Sequence, residues 1–238
     1  PPTSGGSIVA ERRSGRLPSV PRSATLLIVA AAALLAACSS DEQTADITKL
    51  SDLKSFFGPE YHITDIPKTG INPRAMSGQK LPEGVTFEPP DCGKFAATPQ
   101  VPSDVKGNMA ALTAEGNGNR FITIALETNE PIEVTEPTDE CKKITFSSEA
   151  MHGVVESVPT PQIDGVHTLG VHRTLDFTKN GKPQTGELYS YRAYFGKYQV
   201  MVTANPMVVP DKPVAPVDTK RAEDLLKAAV AAIRGTSG

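Results

Sequence analysis

An α+β fold is predicted, an antiparallel sheet of about five to seven strands flanked by an N-terminal and a C-terminal helix. Three observations predict it. First, Asn117-Gly118, Asn180-Gly181 and Gly196-Lys197 each separate two runs of apolar or alternating residues. Asn-Gly suits the type I′ hairpin turn, and Gly in the first loop position suits type II′. Second, Leu169, Val171, Arg173, Leu175 and Phe177 alternate with Gly170, His172, Thr174 and Asp176, the period of two that sends one strand face toward a core. Third, Ala222, Leu225, Leu226, Ala229, Val230 and Ile233 fall at i, i+3, i+4, i+7, i+8 and i+11. Such an amphipathic helix needs a sheet to pack on, and hairpin-linked strands bracketed by helices give this class.

The start of the chain reads as an address. Arg12, Arg13, Arg16 and Arg22 precede the uncharged run Ala24 to Ala37. Fourteen helical residues rise about 21 Å, against a hydrocarbon core of roughly 30 Å. The run is therefore a signal-peptide h-region behind a positive n-region. Leu35-Ala36-Ala37-Cys38 resembles the bacterial lipobox. That resemblance implies cleavage before Cys38 and a diacylglycerol on its sulfur, two acyl chains being enough for stable anchoring. An ordinary secretory signal with an incidental Cys is the alternative. The expected organisation is a lipoprotein signal peptide over 1–37, a lipidated Cys and polar tether over 38–45, and a single α+β domain over 46–235. The location is the cell membrane, lipid-anchored on its extracytoplasmic face.

Charge agrees with that location. The chain carries 24 Lys plus Arg against 27 Asp plus Glu, a net −3. Residues 1–37 hold four Arg and one Glu, so removing their +3 leaves −6. An acidic domain stands off an anionic membrane surface rather than lying on it. Nucleic acid is excluded as a partner for want of a basic excess. Of three cysteines, Cys92 and Cys141 remain once Cys38 is lipidated. In an exported protein an even remainder suggests one disulfide, and closing a loop of about 50 residues contributes roughly 4 kcal/mol in the chain-entropy treatment. Two unpaired buried thiols are the alternative.

Along the mature part, Asp46 is a candidate N-cap, and Ile47, Leu50, Leu53 and Phe57 mark one apolar helical face ended by Gly58-Pro59. Residues 61–66 form a short strand stopped by Pro67. Lys68 to Ser103, rich in Pro, Gly and polar residues, is a long surface excursion pinned by the disulfide. Strands follow over 109–115 and 119–128, a short helix over Glu130–Cys141, and strands over 143–147, 154–158, 171–178, 187–195 and 198–204. A Pro-rich extended segment runs from Pro206 to Pro216, and Asp218 caps the final helix.

Chemistry is sparse. The histidines are His62, His152, His167 and His172. The last two are five apart, which on a strand puts them on opposite faces, and no metal-ligand spacing is present. No metal or cofactor is expected. There is no Gly-x-Ser-x-Gly elbow, and the carboxylate pairs Asp139-Glu140 and Glu223-Asp224 fall where solvation is their usual role. No catalytic residue is assigned. Tyr189, Tyr191 and Phe195 share a strand parity and Tyr198 opens the next strand. They are either a stacking surface for a ligand or core and cross-strand pairs.

The lipobox, early helix, Pro89-Pro90-Asp91-Cys92 turn, Cys141 before a strand, and the Val154-to-Ala204 hairpin run with its terminal helix together resemble mycobacterial and other actinobacterial lipoproteins of unknown function. The soluble part of these is similar to the extracellular sensor domain of PknH-type receptor kinases. That resemblance implies an antiparallel sheet flanked by helices with a ligand cleft. Sensor domains of that type carry two disulfides, whereas this chain can make one, so no ligand residues are carried over. The function expected is a non-enzymatic, lipid-anchored envelope protein that binds a small ligand or protein partner in a cleft. A lipid or glycolipid carrier with an apolar cavity and an envelope hydrolase are the alternatives.

Overall fold

The computed structural model describes residues 45–72, 84–96, 105–209 and 212–236. The expected signal peptide, the lipobox-like sequence and Cys38 lie outside them. Among the described residues, nine strands pair into one antiparallel sheet in the order β1-β3-β4-β9-β8-β7-β6-β5-β2. They are β1 (His62–Gly70), β2 (Thr86–Glu88), β3 (Gly107–Gly116), β4 (Asn119–Thr128), β5 (Lys143–Ser147), β6 (Met151–Ser157), β7 (His167–Lys179), β8 (Lys182–Phe195) and β9 (Tyr198–Pro206). The α+β class holds, but the strand count exceeds the expected five to seven. Every segment read as a strand joins the sheet, and β2, three residues long, adds one that is too short to show any periodicity.

The turns follow their residues. Asn117 and Gly118 have φ of 51° and 75°, and Asn180 and Gly181 have 54° and 73°, the double positive φ of type I′. At the third hairpin only Gly196 is positive, at 54°, as a II′ turn requires. Strand β1 does not stop at Pro67 but continues to Gly70 past a shift in register between Ile66 and Thr69. It is an edge strand, where a missing N–H leaves no ladder bond unmade.

The N-terminal helix, Ile47–Phe56, is a 3-10 helix capped by Asp46, whose Oδ1 accepts the Thr48 N–H at 2.9 Å. Three residues per turn stack Ile47, Leu50 and Leu53 in one row, and all three are buried. Phe57 is buried just past the helix end. The C-terminal helix, Thr219–Arg234, is capped by Asp218 accepting from the Arg221 N–H at 2.9 Å and ends at Gly235 with φ of 67°. Its six apolar positions are all buried. Asn119, itself buried, fixes the entry to this helix by accepting from the Asp218 N–H at 3.1 Å and donating to the Pro216 carbonyl at 3.1 Å.

The two helices cover one face of the sheet over β1, β3, β4, β9 and β8. There they enclose a core that includes Leu50, Phe121, Tyr191, Val200, Leu226 and Ile233. A second core lies at the other end, where Cys92, Ala96, Cys141, Ile144, Phe146 and Val155 are buried together. The registers Ile144↔Val155, Val155↔Arg173 and Leu169↔Arg192 place that second core on the face opposite the helices. No helix among the described residues is long and apolar enough to cross a membrane.

The expected helix over Glu130–Cys141 does not form. Residues 131–138 have no regular structure, and only Asp139–Cys141 makes a 3-10 turn. Pro131 and Pro137 remove two donors, and Ile132, Val134 and Thr135 are β-branched, all unfavourable to a helix.

Candidate functional site

Topology builds a cleft on the helix-free face. Strand β4 is separated from β5 by β9, β8, β7 and β6, five strand spacings or about 24 Å. The connection between them is the extended 129–138 segment, and it crosses above the sheet rather than around it. Its near end is held where the Thr128 hydroxyl donates to the Glu130 carbonyl at 2.6 Å and the Asn129 N–H donates to the Lys106 carbonyl at 3.1 Å. Ile132 packs on Met109 and Leu126, and Glu136 lies 3.2 Å from His167 at the start of β7.

The opposite wall is the arm that carries β2, the 3-10 turn Pro90–Cys92 and the single helical turn Gly93–Ala96. The arm is tied down covalently, since Cys92 and Cys141 are disulfide-bonded with their Cα atoms 5.3 Å apart. The cross-link expected from the cysteine count is present. Its far end is held by Arg173, whose guanidinium donates to the Ala96 carbonyl at 2.5 Å.

Between these walls lies a cleft of about 960 Å³. Its floor comes from the parity of β7, β8 and β9 that faces away from the helices, namely Leu169, Val171, Arg192, Tyr194, Gln199 and Met201. Phe95 and Ile144 on one side and Ile132 and Val134 on the other make the walls largely apolar. Lys94, Lys106, Glu130 and Glu133 stand around its edge. Burial lowers the pKa of Arg173 below the usual guanidinium range, and the positive charge of Arg192 pushes it the same way.

The aromatic cluster read from the sequence is elsewhere. Tyr189, Tyr191, Phe195 and Tyr198 all belong to or border the core under the helices. Tyr189 and Tyr191 stack with centroids 6.5 Å apart, and Phe195 and Tyr198 with centroids 5.5 Å apart. Burial pushes the Tyr191 hydroxyl up to about 12. Of the two readings, core packing is the one the structure supports, and among the described residues the aromatic side chains of the cleft are Tyr194 and Phe95. Tyr194 has the opposite parity on the same strand, a position the alternation assigns to solvent.

The remaining candidates are accounted for locally. His167 and His172 fall on opposite faces, as their spacing requires. His172 stacks on Tyr189 at 4.2 Å and meets Glu187 at 3.0 Å, while His62 and His152 are exposed. Asp139 pairs with Lys142 at 2.6 Å, and Asp224 sits between Lys220 and Lys227 on the polar side of the last helix. Among the described residues no group of His, Cys, Asp or Glu could hold a metal ion.

A twisted sheet with a two-helix layer on one face and a disulfide-walled cleft on the other defines a class of α+β domain, and residues 46–234 match a family described as a domain of unknown function, DUF5642. The chain belongs to that family. It is similar to an uncharacterized protein of Mycobacterium smegmatis, an Rv0999 ortholog, at 54% identity with a TM-score of 0.76, covering 80% of this chain and 98% of that one. A more distant likeness is the extracellular domain of PknH from Mycobacterium tuberculosis, at 11% identity and a TM-score of 0.35, covering 78% of this chain and 91% of that one. The mycobacterial relative and the family of unknown function agree with that part of the resemblance read from the sequence. No curated protein matches the chain.

Proposed function

We propose that this chain is a non-enzymatic, lipid-anchored protein of the cell envelope that binds a small ligand or protein partner in the cleft on its helix-free face. The observation that carries the reading is the cleft itself, about 960 Å³ with apolar walls and a few polar groups on its floor, the usual make-up of a ligand site. The covalent wall supports an oxidising compartment, because a structural disulfide persists there and is rare in the cytosol. The anchor rests on Cys38 in its lipobox-like setting.

The cleft opens between two walls instead of being sealed beneath the sheet, which favours a binding module over a carrier that encloses an acyl chain. Native mass spectrometry of the protein purified from its own cells tests the reading. A co-purifying mass is expected, and a bare chain from every growth condition would contradict it. The anchor is tested separately: Cys38→Ala releases the protein from membranes, and continued retention would remove the lipid from the account.

A further inference from the structure

Arg192 sits in the middle of the cleft floor and keeps only 9% of its surface exposed. Its strand neighbours on either side are Leu169 and Met201, neither of which offers a charge. Its side chain makes no hydrogen bond or ion pair among the described residues. The carboxylates that line the cleft, Glu130 and Glu133, are exposed on the crossing segment, and Glu136 is engaged with His167. A second guanidinium, Arg173, stands close enough for Arg192 to act on it electrostatically.

A guanidinium keeps its charge at any physiological pH. With most of the residue covered and its guanidinium facing the cleft without a protein partner among the described residues, Arg192 is placed as half of an ion pair. Resting on the cleft reading above, we propose that the ligand carries an anionic group, a carboxylate or a phosphate, seated on Arg192, with an apolar body against Leu169, Met201, Ile132 and Phe95. Arg is the side chain suited to this role, because its planar fork meets two oxygens of either group at once. The walls explain why a bare inorganic anion is a poorer occupant, since it leaves the apolar surface in water.

Isothermal titration of the full chain in phosphatidylcholine nanodiscs, referenced to empty nanodiscs, tests this with octanoate, octyl phosphate, octanamide and inorganic phosphate. Octanamide has the shape of octanoate without its charge. The expected result is that octanoate or octyl phosphate binds about tenfold or more tightly than octanamide, and which of the two binds better identifies the anion. Arg192→Met abolishes that preference without lowering the melting temperature of the ligand-free protein, because the side chain has no hydrogen bond or ion pair to lose. A merely structural arginine would lower the melting temperature and leave the preference intact, which overturns the proposal. Equal binding of octanoate and octanamide overturns it too while leaving the cleft as a binding site. If none of the four binds, the proposal falls, and native mass spectrometry then decides whether the cleft reading falls with it.

Discussion

The two ends of this sheet are stabilised by different means. Under the helices, the core recruits both terminal elements and buries large side chains such as Phe121, Tyr191, Leu225 and Leu226. At the β5–β6 end the buried set among the described residues is six, two of them the bonded cysteines. Among the described residues, the helix at that end is the single turn Gly93–Ala96. A small core cannot offset the chain entropy of ordering an arm, so a covalent tie takes over part of that task. The cleft opens beside the cross-linked end, where one wall is an arm and the other a single crossing segment of chain. The proposed site thus lies against the half that side-chain packing holds least.

The largest effect is expected from Leu226→Asp, which places a carboxylate at a position with no exposed surface and costs more than about 4 kcal/mol. The variant should show no cooperative thermal transition, and a normal melt would mean that the helix layer is not the main core. Next, Cys92→Ala combined with Cys141→Ala should cost about 4 kcal/mol by loop entropy. Amide exchange in β5 and β6 should accelerate far more than in β4 and β9. Equal acceleration throughout would show a single cooperative unit and erase the distinction.

The smallest effect concerns Glu127 on β4, which lies 2.7 Å from Lys68 and 3.1 Å from Lys197. The hydrogen bond from Lys68 holds its carboxyl below the usual carboxylate range, with Lys197 acting the same way. A carboxyl depressed on folding contributes stability above its unfolded pKa and loses it as pH falls through the folded value. Glu127→Gln should therefore cost less than about 1 kcal/mol at neutral pH and flatten the decline in melting temperature below about pH 4. An unchanged decline would assign the acid sensitivity to other groups.

Much of the fold was legible because its signals are local. Asn-Gly at 117–118 and 180–181 specifies a turn within two residues, and the spacing from Ala222 to Ile233 specifies a helix within one face. The apolar spacing of Ile47, Leu50 and Leu53 announces a helix but fits three residues per turn as well as 3.6, so its 3-10 character emerges only with the packing. The helix expected over 130–141 does not form because the segment traverses four strands of a sheet whose order is a long-range property. The cleft was hidden for a related reason. Alternation along β8 separates Tyr189, Tyr191 and Ala193 from Ser190, Arg192 and Tyr194, yet nothing local says that the polar parity faces a cleft instead of open water. A charged residue such as Arg192 at that parity looks the same in the sequence whether it meets a cleft or bulk solvent.

Hydrogen exchange on the protein as isolated from its cells, compared with the same protein stripped of bound material, tests the working face most directly. The account predicts slower exchange in the ligand-bearing sample over 129–138 and around Gly93–Ala96, with the C-terminal helix unchanged. Protection confined to the helix side of the sheet would contradict it.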